Sequence, residues 1–251
     1  MEIHPRHWLY VEIRVGCSGW FYNHWSGLFY PEGMPKSRWF QFYSSRFDTV
    51  EINSSFYTFP RRESVRRWAR AAPEGFIYSV KAHRSITHEG RMRGVQEAIS
   101  DFYSTVGLLG GKLGCILFQF PPSFRYSDEN LSAIIGLLDR RYENVVEFRH
   151  RSWLEGKAAG DLIAQGIHVA AVSSERMPFV LFEDSVLYIR MHGDQQGYAT
   201  DYSDERLLGL AREIVGASPR AVYVYFNNDY RAMAPKNAST LITKIREIMR
   251  S

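Results

Sequence analysis

Cysteine is nearly missing from this chain of 251 residues, with Cys17 and Cys115 the only two. That count excludes a disulfide scaffold, and the two positions fall in different predicted strands, so the expected compartment is a reducing cytoplasm. No stretch of about 18 apolar residues occurs, which leaves no candidate for a spanning helix. Residues 1–10 also lack an apolar run of signal-peptide length. The expectation is a cytoplasmic protein without membrane association. No Pro-, Gly- or Ser-rich linker interrupts the chain, so residues 1–251 are expected to form one domain, with its core over about 13–249.

A large excess of one charge is also lacking: Lys and Arg number 31 against 27 Asp and Glu, a net charge of +4. This balance admits an anionic partner without requiring nucleic acid. Only Arg61, Arg62, Arg66, Arg67 and Arg70 form a dense basic group. Spaced around a predicted helix, they read first as a solvated face and secondarily as a nucleic-acid patch. The sequence carries no mark of a particular oligomeric state.

What is abundant is hydrophobic residues, at 45%, with aromatics at 15%. Eight short apolar runs are predicted as strands: 13–18, 49–53, 77–83, 114–120, 144–150, 168–174, 186–192 and 221–228. Seven segments with apolar residues at three-and-four spacing are predicted as helices: 37–46, 64–72, 94–109, 128–141, 155–165, 204–215 and 235–249. Ser127, Ser203 and Pro235 act as start signals for three of these helices. Alternating strands and helices at this length predict an α/β fold, a TIM-type (β/α)8 barrel. The connection between strands 6 and 7, residues 175–185, is too short and irregular for a full helix. A doubly wound open sheet is the alternative, but no Gly-rich fingerprint follows the first strand.

Strand alternation places one polar group or more at the carboxyl end of every strand. The predicted inward set is Ser18, Glu51, Asn53, Lys81, His83, Gln119, Glu147, Arg149, Ser173, Arg190, His192 and Asn227. Their outward neighbours, such as Val15, Ile52, Val80, Leu117, Val146 and Phe148, are apolar. Barrel interiors are normally filled by branched apolar side chains, so polar ends on all eight strands point to a pocket. The bland account pairs Glu147 with Arg149 or Arg190, and Glu51 with Lys81, in a purely structural network. Buried ion pairs are poor stabilisers relative to apolar packing, which weighs against that account.

Within this set Glu51, Glu147, Lys81 and His192 are the candidates for catalysis, the carboxylates as acid and base and Lys81 as a cation or Schiff-base amine. Arg149, Arg190, Ser18, Asn53 and Asn227 are candidates for substrate binding, with Trp20 and Tyr57 as an apolar wall or lid. Paired carboxylates fit a hydrolase or a lyase. Trp20 opens a long aromatic loop, 19–31, too aromatic for disorder. No cofactor is implied. A divalent metal at Glu51, His83, Glu147 and His192 is disfavoured, since no His-Glu-x-x-His or first-strand His-x-His occurs and three cations compete for the carboxylates. His24, His88 and His150 read as loop residues or as supports behind the site rather than as ligands. Phosphate is the favoured guest, because Gly193 and Gly197 follow the seventh strand and Pro235 opens the last helix.

Several segments together resemble the YecE-like family, known as domain of unknown function 72. They are Val15-Gly16-Cys17-Ser18-Gly19-Trp20, Phe29-Tyr30-Pro31, Val50-Glu51-Ile52-Asn53-Ser54-Ser55-Phe56-Tyr57, Thr87-His88, Gln119-Phe120-Pro121-Pro122-Ser123-Phe124, Glu147-Phe148-Arg149 with Ser152-Trp153, Tyr188-Ile189-Arg190-Met191-His192-Gly193, and Tyr225-Phe226-Asn227-Asn228. The resemblance runs from about Arg14 to the end. It implies a TIM-type barrel, intracellular, without an agreed activity. Two departures stand out against the pattern of that family: Ser173-Ser174 where many members end the sixth strand with Asp, and Asp194 where a basic residue often follows His-Gly. The residues and the resemblance together lead to the expectation of an enzyme acting on a small anionic or phosphorylated substrate, or a phosphodiester. The alternative is a non-catalytic module binding nucleic acid or protein.

Overall fold

The computed structural model describes residues 11–194 and 197–250. In chain order the elements are β1 (Glu12–Cys17), α1 (Trp39–Ser44), β2 (Thr49–Ile52), α2 (Ser54–Tyr57), α3 (Arg62–Ala71), β3 (Ile77–Lys81), α4 (Gln96–Val106), β4 (Leu113–Gln119), α5 (Asp128–Leu137) and β5 (Glu143–Glu147). There follow α6 (Ala158–Ala164), β6 (Ile167–Val169), β7 (Ala171–Ser173), β8 (Val186–Met191), α7 (Asp204–Ala217), β9 (Ala221–Phe226) and α8 (Met233–Arg250). Parallel strands alternating with helices make this a TIM-type α/β barrel fold, the class expected from the sequence. Residues 1–10, where the absence of an apolar leader was read, lie outside the described part.

Contacts divide the chain into two compact units, 1–42 with 171–251, and 43–170. In the first, β1 pairs in parallel with β9, β9 with β8, and β8 with β7. In the second, β2, β3, β4, β5 and β6 pair in parallel in that order. All six residues of β8 and all six of β9 are buried. Both faces of these strands are covered, which is why they read as continuous apolar runs with an interrupting polar residue.

The sixth predicted strand is two strands. β6 pairs with β5 and β7 pairs with β8, the break falling at Ala170, whose N–H donates to Val146 O at 2.9 Å. The count among the described residues is therefore nine, with one of the eight expected runs split. The irregular connection after it is as expected: an antiparallel bridge joins Ser174 to Met177, and no helix forms before β8.

Helix starts follow local chemistry. Ser127 and Ser203 each accept a hydrogen bond, from Asn130 N and Arg206 N, both at 3.2 Å, satisfying one of the free N–H groups of the first turn. Such a cap contributes about 1 kcal/mol. Pro235 does not open its helix. α8 begins two residues earlier, at Met233, and Pro235 is its third residue, a first-turn position where a missing N–H costs nothing. Cys17 and Cys115 are both buried and form no disulfide. Among the described residues no helix is long and apolar enough to cross a membrane.

The aromatic loop after β1 is mostly a plug. Trp25, Tyr30 and Trp39 are fully buried, and Tyr30 stacks on Trp39 with centroids 4.7 Å apart. Only its outer residues, Phe21 and Leu28, stand exposed as large apolar side chains.

Candidate functional site

The stretch from Asn144 to Trp153 divides its duties by alternation. Val146 and Phe148 face away from Glu147 and build core: Phe148 lies parallel to Trp153 at 4.1 Å, and Trp153 Nε1 donates to Phe124 O at 2.8 Å. Glu147, at the last position of β5, is completely buried. Arg149, two residues on, returns to the same face and places Nε 2.5 Å from Glu147 Oε1. The intramolecular pairing anticipated for these two residues thus exists, with Arg149 still partly solvent-exposed.

The neighbouring strands extend this pair into a row. Register aligns Gln119 at the end of β4 with Glu147 on β5. Gln119 Oε1 accepts from Lys81 Nζ at 2.9 Å, and Lys81 is the last residue of β3. Lys81 Nζ also sits 4.1 Å from the centroid of the Phe56 ring, a cation over an aromatic face. Three adjacent strands therefore end in an ammonium, an amide and a carboxylate with its guanidinium. Glu51 is buried on β2, opposite Ser79 of β3.

His88 shares the Phe56 ring with Lys81. A π-helical turn, residues Ser85–Glu89, follows β3, and such turns recur at functional sites. His88 packs edge-on against Phe56 at 4.9 Å, and Thr87 Oγ1 lies 2.9 Å from its Nδ1. Burial, then the charges of Lys81 and Arg84, push its pKa down to about 4, against the opposing pull of Glu89 and Glu147. Its imidazole is neutral at pH 7. The Thr87-His88 dipeptide was the available signal, but nothing in the spacing placed a π turn there.

Three other members of the expected set lie in this unit. Tyr57 is 72% exposed and touches Phe56 edge-on, so it is a rim residue rather than a wall. Asn53 precedes α2 without capping it through its side chain. His83 turns to Ser85, its Nδ1 2.8 Å from Ser85 Oγ.

The first unit carries its own polar ends. Arg190, on β8 and 1% exposed, places Nη1 3.0 Å from His192 Nε2, and Asn227 lies 2.9 Å from His192 Nδ1. Ser18 is buried just past β1. Trp20 is half-buried, packed edge-on against Phe40 at 5.1 Å. Asp194 and Tyr202, which sequence reading left out of the set, join Ser173 here. Ser173 Oγ donates to Asp194 and accepts from Tyr202 OH at 3.0 Å, while Gly193 N donates to Tyr202 OH at 2.8 Å. Burial pushes the Tyr202 hydroxyl up to about 12, so it stays protonated. The carboxylate absent from the end of β7 is thus supplied through space by Asp194.

At Gly193, Gly197 and Pro235, where a phosphate cradle was expected, the backbone is already engaged in part. The Gly193 N–H is already taken by Tyr202, and the glycine answers a packing need: with φ +101, its Cβ would lie 1.6 Å from Gly197 O. Among the described residues no three His, Cys, Asp or Glu side chains gather as metal ligands.

The family model described as "Protein of unknown function DUF72" matches residues 14–250. The chain is 34% identical to UPF0759 protein YunF of Bacillus subtilis (strain 168) over 92% of its length and 93% of that protein's. It is 24% identical to UPF0759 protein YecE of Escherichia coli (strain K12) over 64% of its length and 57% of that protein's. Among solved structures, a DUF72 family protein from Thermotoga maritima MSB8 superposes with a TM-score of 0.83 at 29% identity, covering 96% of this chain and 100% of the other. A DUF72 family protein from Enterococcus faecalis V583 superposes with a TM-score of 0.80 at 20% identity, covering 93% of this chain and 95% of the other.

Proposed function

The chain belongs to the DUF72 family of proteins of unknown function, and from that premise we propose that it is an enzyme acting on a small anionic or phosphorylated substrate, or a phosphodiester. One observation carries this reading: the contiguous row Lys81, Gln119, Glu147 and Arg149 at the ends of β3, β4 and β5. A structural network would be expected to sink its ion pair fully. Here the carboxylate is buried while its guanidinium keeps a solvent-facing side, so an arriving anion can share Arg149 with Glu147. Lys81 adds a second cation held by an amide and a ring, and His88, neutral beside it, can donate or accept without adding charge.

In this reading Arg149 and Lys81 bind the anion, Arg through a planar fork and Lys as a point charge. Glu147 exchanges a proton with the reacting group, as a hydrolase or lyase requires. Binding of an anion to Arg149 loosens its grip on Glu147 and raises that carboxylate's proton affinity at the moment of use. The protein is read as cytoplasmic on the reducing-compartment argument from its two cysteines, which lie on different strands and form no disulfide.

The test is a thermal-shift and turnover screen with inorganic phosphate, acetyl phosphate, nucleotides, a bis-phenyl phosphodiester and short oligonucleotides. A ligand that binds only the folded state raises the melting temperature. Glu147→Gln is expected to abolish turnover while retaining ligand binding, and Arg149→Lys to weaken binding about tenfold or more. A second reading, a nucleic-acid-binding module, draws on α3, where Arg66 and Arg67 line the helix although Arg70 is paired with Glu63 and Arg62 reaches Ser104. Affinity for oligonucleotides that falls steeply with salt and survives Glu147→Gln would favour it over the enzyme.

A further inference from the structure

Described residues of the loops after β8 and β9 border an open cavity of about 640 Å³, within the range of small-molecule pockets. Asp194, Thr200, Asp201, Tyr230 and Arg231 are in its wall. None of them belongs to the row on β3, β4 and β5, and nothing in the proposed reaction uses them.

We infer that this cavity is a binding site for a neutral polyhydroxylated ligand, a sugar or polyol. The lining decides against the other classes in turn. An inorganic anion would meet two carboxylates. Asp201 stays ionised at neutral pH: burial raises its pKa, but hydrogen bonds from Lys236 at 2.5 Å and Asn237 at 2.9 Å outweigh that and hold it below the usual carboxylate range. A simple cation would meet the Arg231 guanidinium, and a purely apolar molecule would desolvate three charged side chains without replacing their hydrogen bonds. A sugar answers each group. Its hydroxyls donate to carboxylates and accept from guanidinium, and its C–H face lies on an aromatic ring.

Three further observations agree. Asp194 takes the Ser173 hydroxyl on one oxygen, which fixes the carboxylate and leaves the other oxygen able to accept from a ligand hydroxyl. Thr200 is in the cavity wall and is held there from behind, Asn228 Nδ2 donating to Thr200 O at 2.8 Å. Tyr230 is 56% exposed although it is a large aromatic side chain, the disposition of a stacking platform. Arg231 and Ala232 following it are both held at positive φ, 51° and 59°, a conformation that costs non-glycine residues energy and persists where the chain must aim a side chain.

Isothermal titration calorimetry of the full chain with D-glucose, D-xylose and myo-inositol tests this, with glycine and inorganic phosphate as the zwitterionic and anionic probes. At least one of the three neutral probes is expected to bind saturably. Tyr230→Ala, at an exposed position with no part in the core, and Asp194→Asn are each expected to weaken that binding at least tenfold. Arg149→Lys is expected to leave it unchanged, which separates this site from the proposed catalytic row. No saturable binding of any of the three, binding that both cavity variants retain in full, or binding of glycine or phosphate alone that depends on Arg231 would each overturn the assignment.

Discussion

Arg190 Nη1 lies 3.0 Å from His192 Nε2 on the same buried strand end. A guanidinium only donates, so Nε2 must offer its lone pair, and the ring proton of the neutral imidazole is on Nδ1. The contact 2.9 Å from Nδ1 is then an acceptor, so Asn227 presents its amide oxygen there rather than its nitrogen. The expected result of ¹⁵N NMR on the folded protein is a pyridine-type Nε2 and a protonated Nδ1 for His192. A protonated Nε2 would contradict the arrangement. His192 accordingly positions its neighbours, and a role as proton donor through Nε2 would require Arg190 to leave first.

The Arg149 and Glu147 pair sets a double-mutant prediction. Removing Arg149 strips a fully buried carboxylate of a charge partner, a change that costs about 3–5 kcal/mol in comparable pairs. Arg149→Ala is expected toward the lower end of that range, because Arg149 itself is part-exposed. Glu147→Gln alone should cost less, and adding it to Arg149→Ala should recover most of the loss, since the uncompensated charge is gone. Urea unfolding of the four species measures the coupling. Additive losses would show that the two side chains do not sense each other.

Much of the fold was legible, because strand and helix periods alternate cleanly and the outward strand residues, Val80, Leu117, Val146 and Phe148 among them, are apolar and are buried. The polar ends were legible for the same reason: in a strand covered on both faces, a charged residue at a fixed parity is costly unless a pocket or a partner receives it. What escaped were the features set by loops. The π turn that brings His88 to Phe56, and the reach of Asp194 to Ser173, depend on backbone paths that no period of 2 or 3.6 encodes. The packing role of Gly193 was not legible either, because a glycine can serve close packing as well as anion binding, and its contacts with Tyr202 and Gly197 depend on the loop path.

His88 makes stability depend on pH. Its ordinary pKa is 6.5, and in the folded chain it falls to about 4. Above pH 6.5 the ring is neutral in both states and contributes nothing to the slope. As pH falls from 6.5 to 4 the unfolded chain takes up a proton that the folded one refuses, so stability declines through that window and levels off below it. Full burial would make this about 3 kcal/mol; partial exposure of the ring screens it to about 1–2 kcal/mol. His88→Gln should flatten the difference in unfolding free energy between about pH 7 and about pH 4.5 by that amount. An unchanged slope would mean that the ring titrates alike in both states.

Gly193 and Gly209 make opposite predictions for the same substitution. At Gly193 an added Cβ meets the Gly197 carbonyl at 1.6 Å and the Thr200 hydroxyl at 2.8 Å, with φ at +101. Strain at such a φ costs about 1–3 kcal/mol, and backbone does not yield as a flexible side chain does. Gly193→Ala is therefore expected to destabilise by at least about 2 kcal/mol, the clash adding about 1–3 kcal/mol to the strain. The loop shift that relieves it would also break the hydrogen bond from Gly193 N to Tyr202 OH, and with it the hold on Ser173 and Asp194. Gly209 lies inside α7 with nothing within 4 Å of an added Cβ. There alanine costs no space and restricts the unfolded chain, so Gly209→Ala should stabilise by about 0.5–1 kcal/mol. Thermal unfolding of the two variants beside the parent reads both signs. If Gly193→Ala proved neutral, the loop after β8 would have to be free to move, and the cavity it walls could not hold Asp194 in place for a ligand.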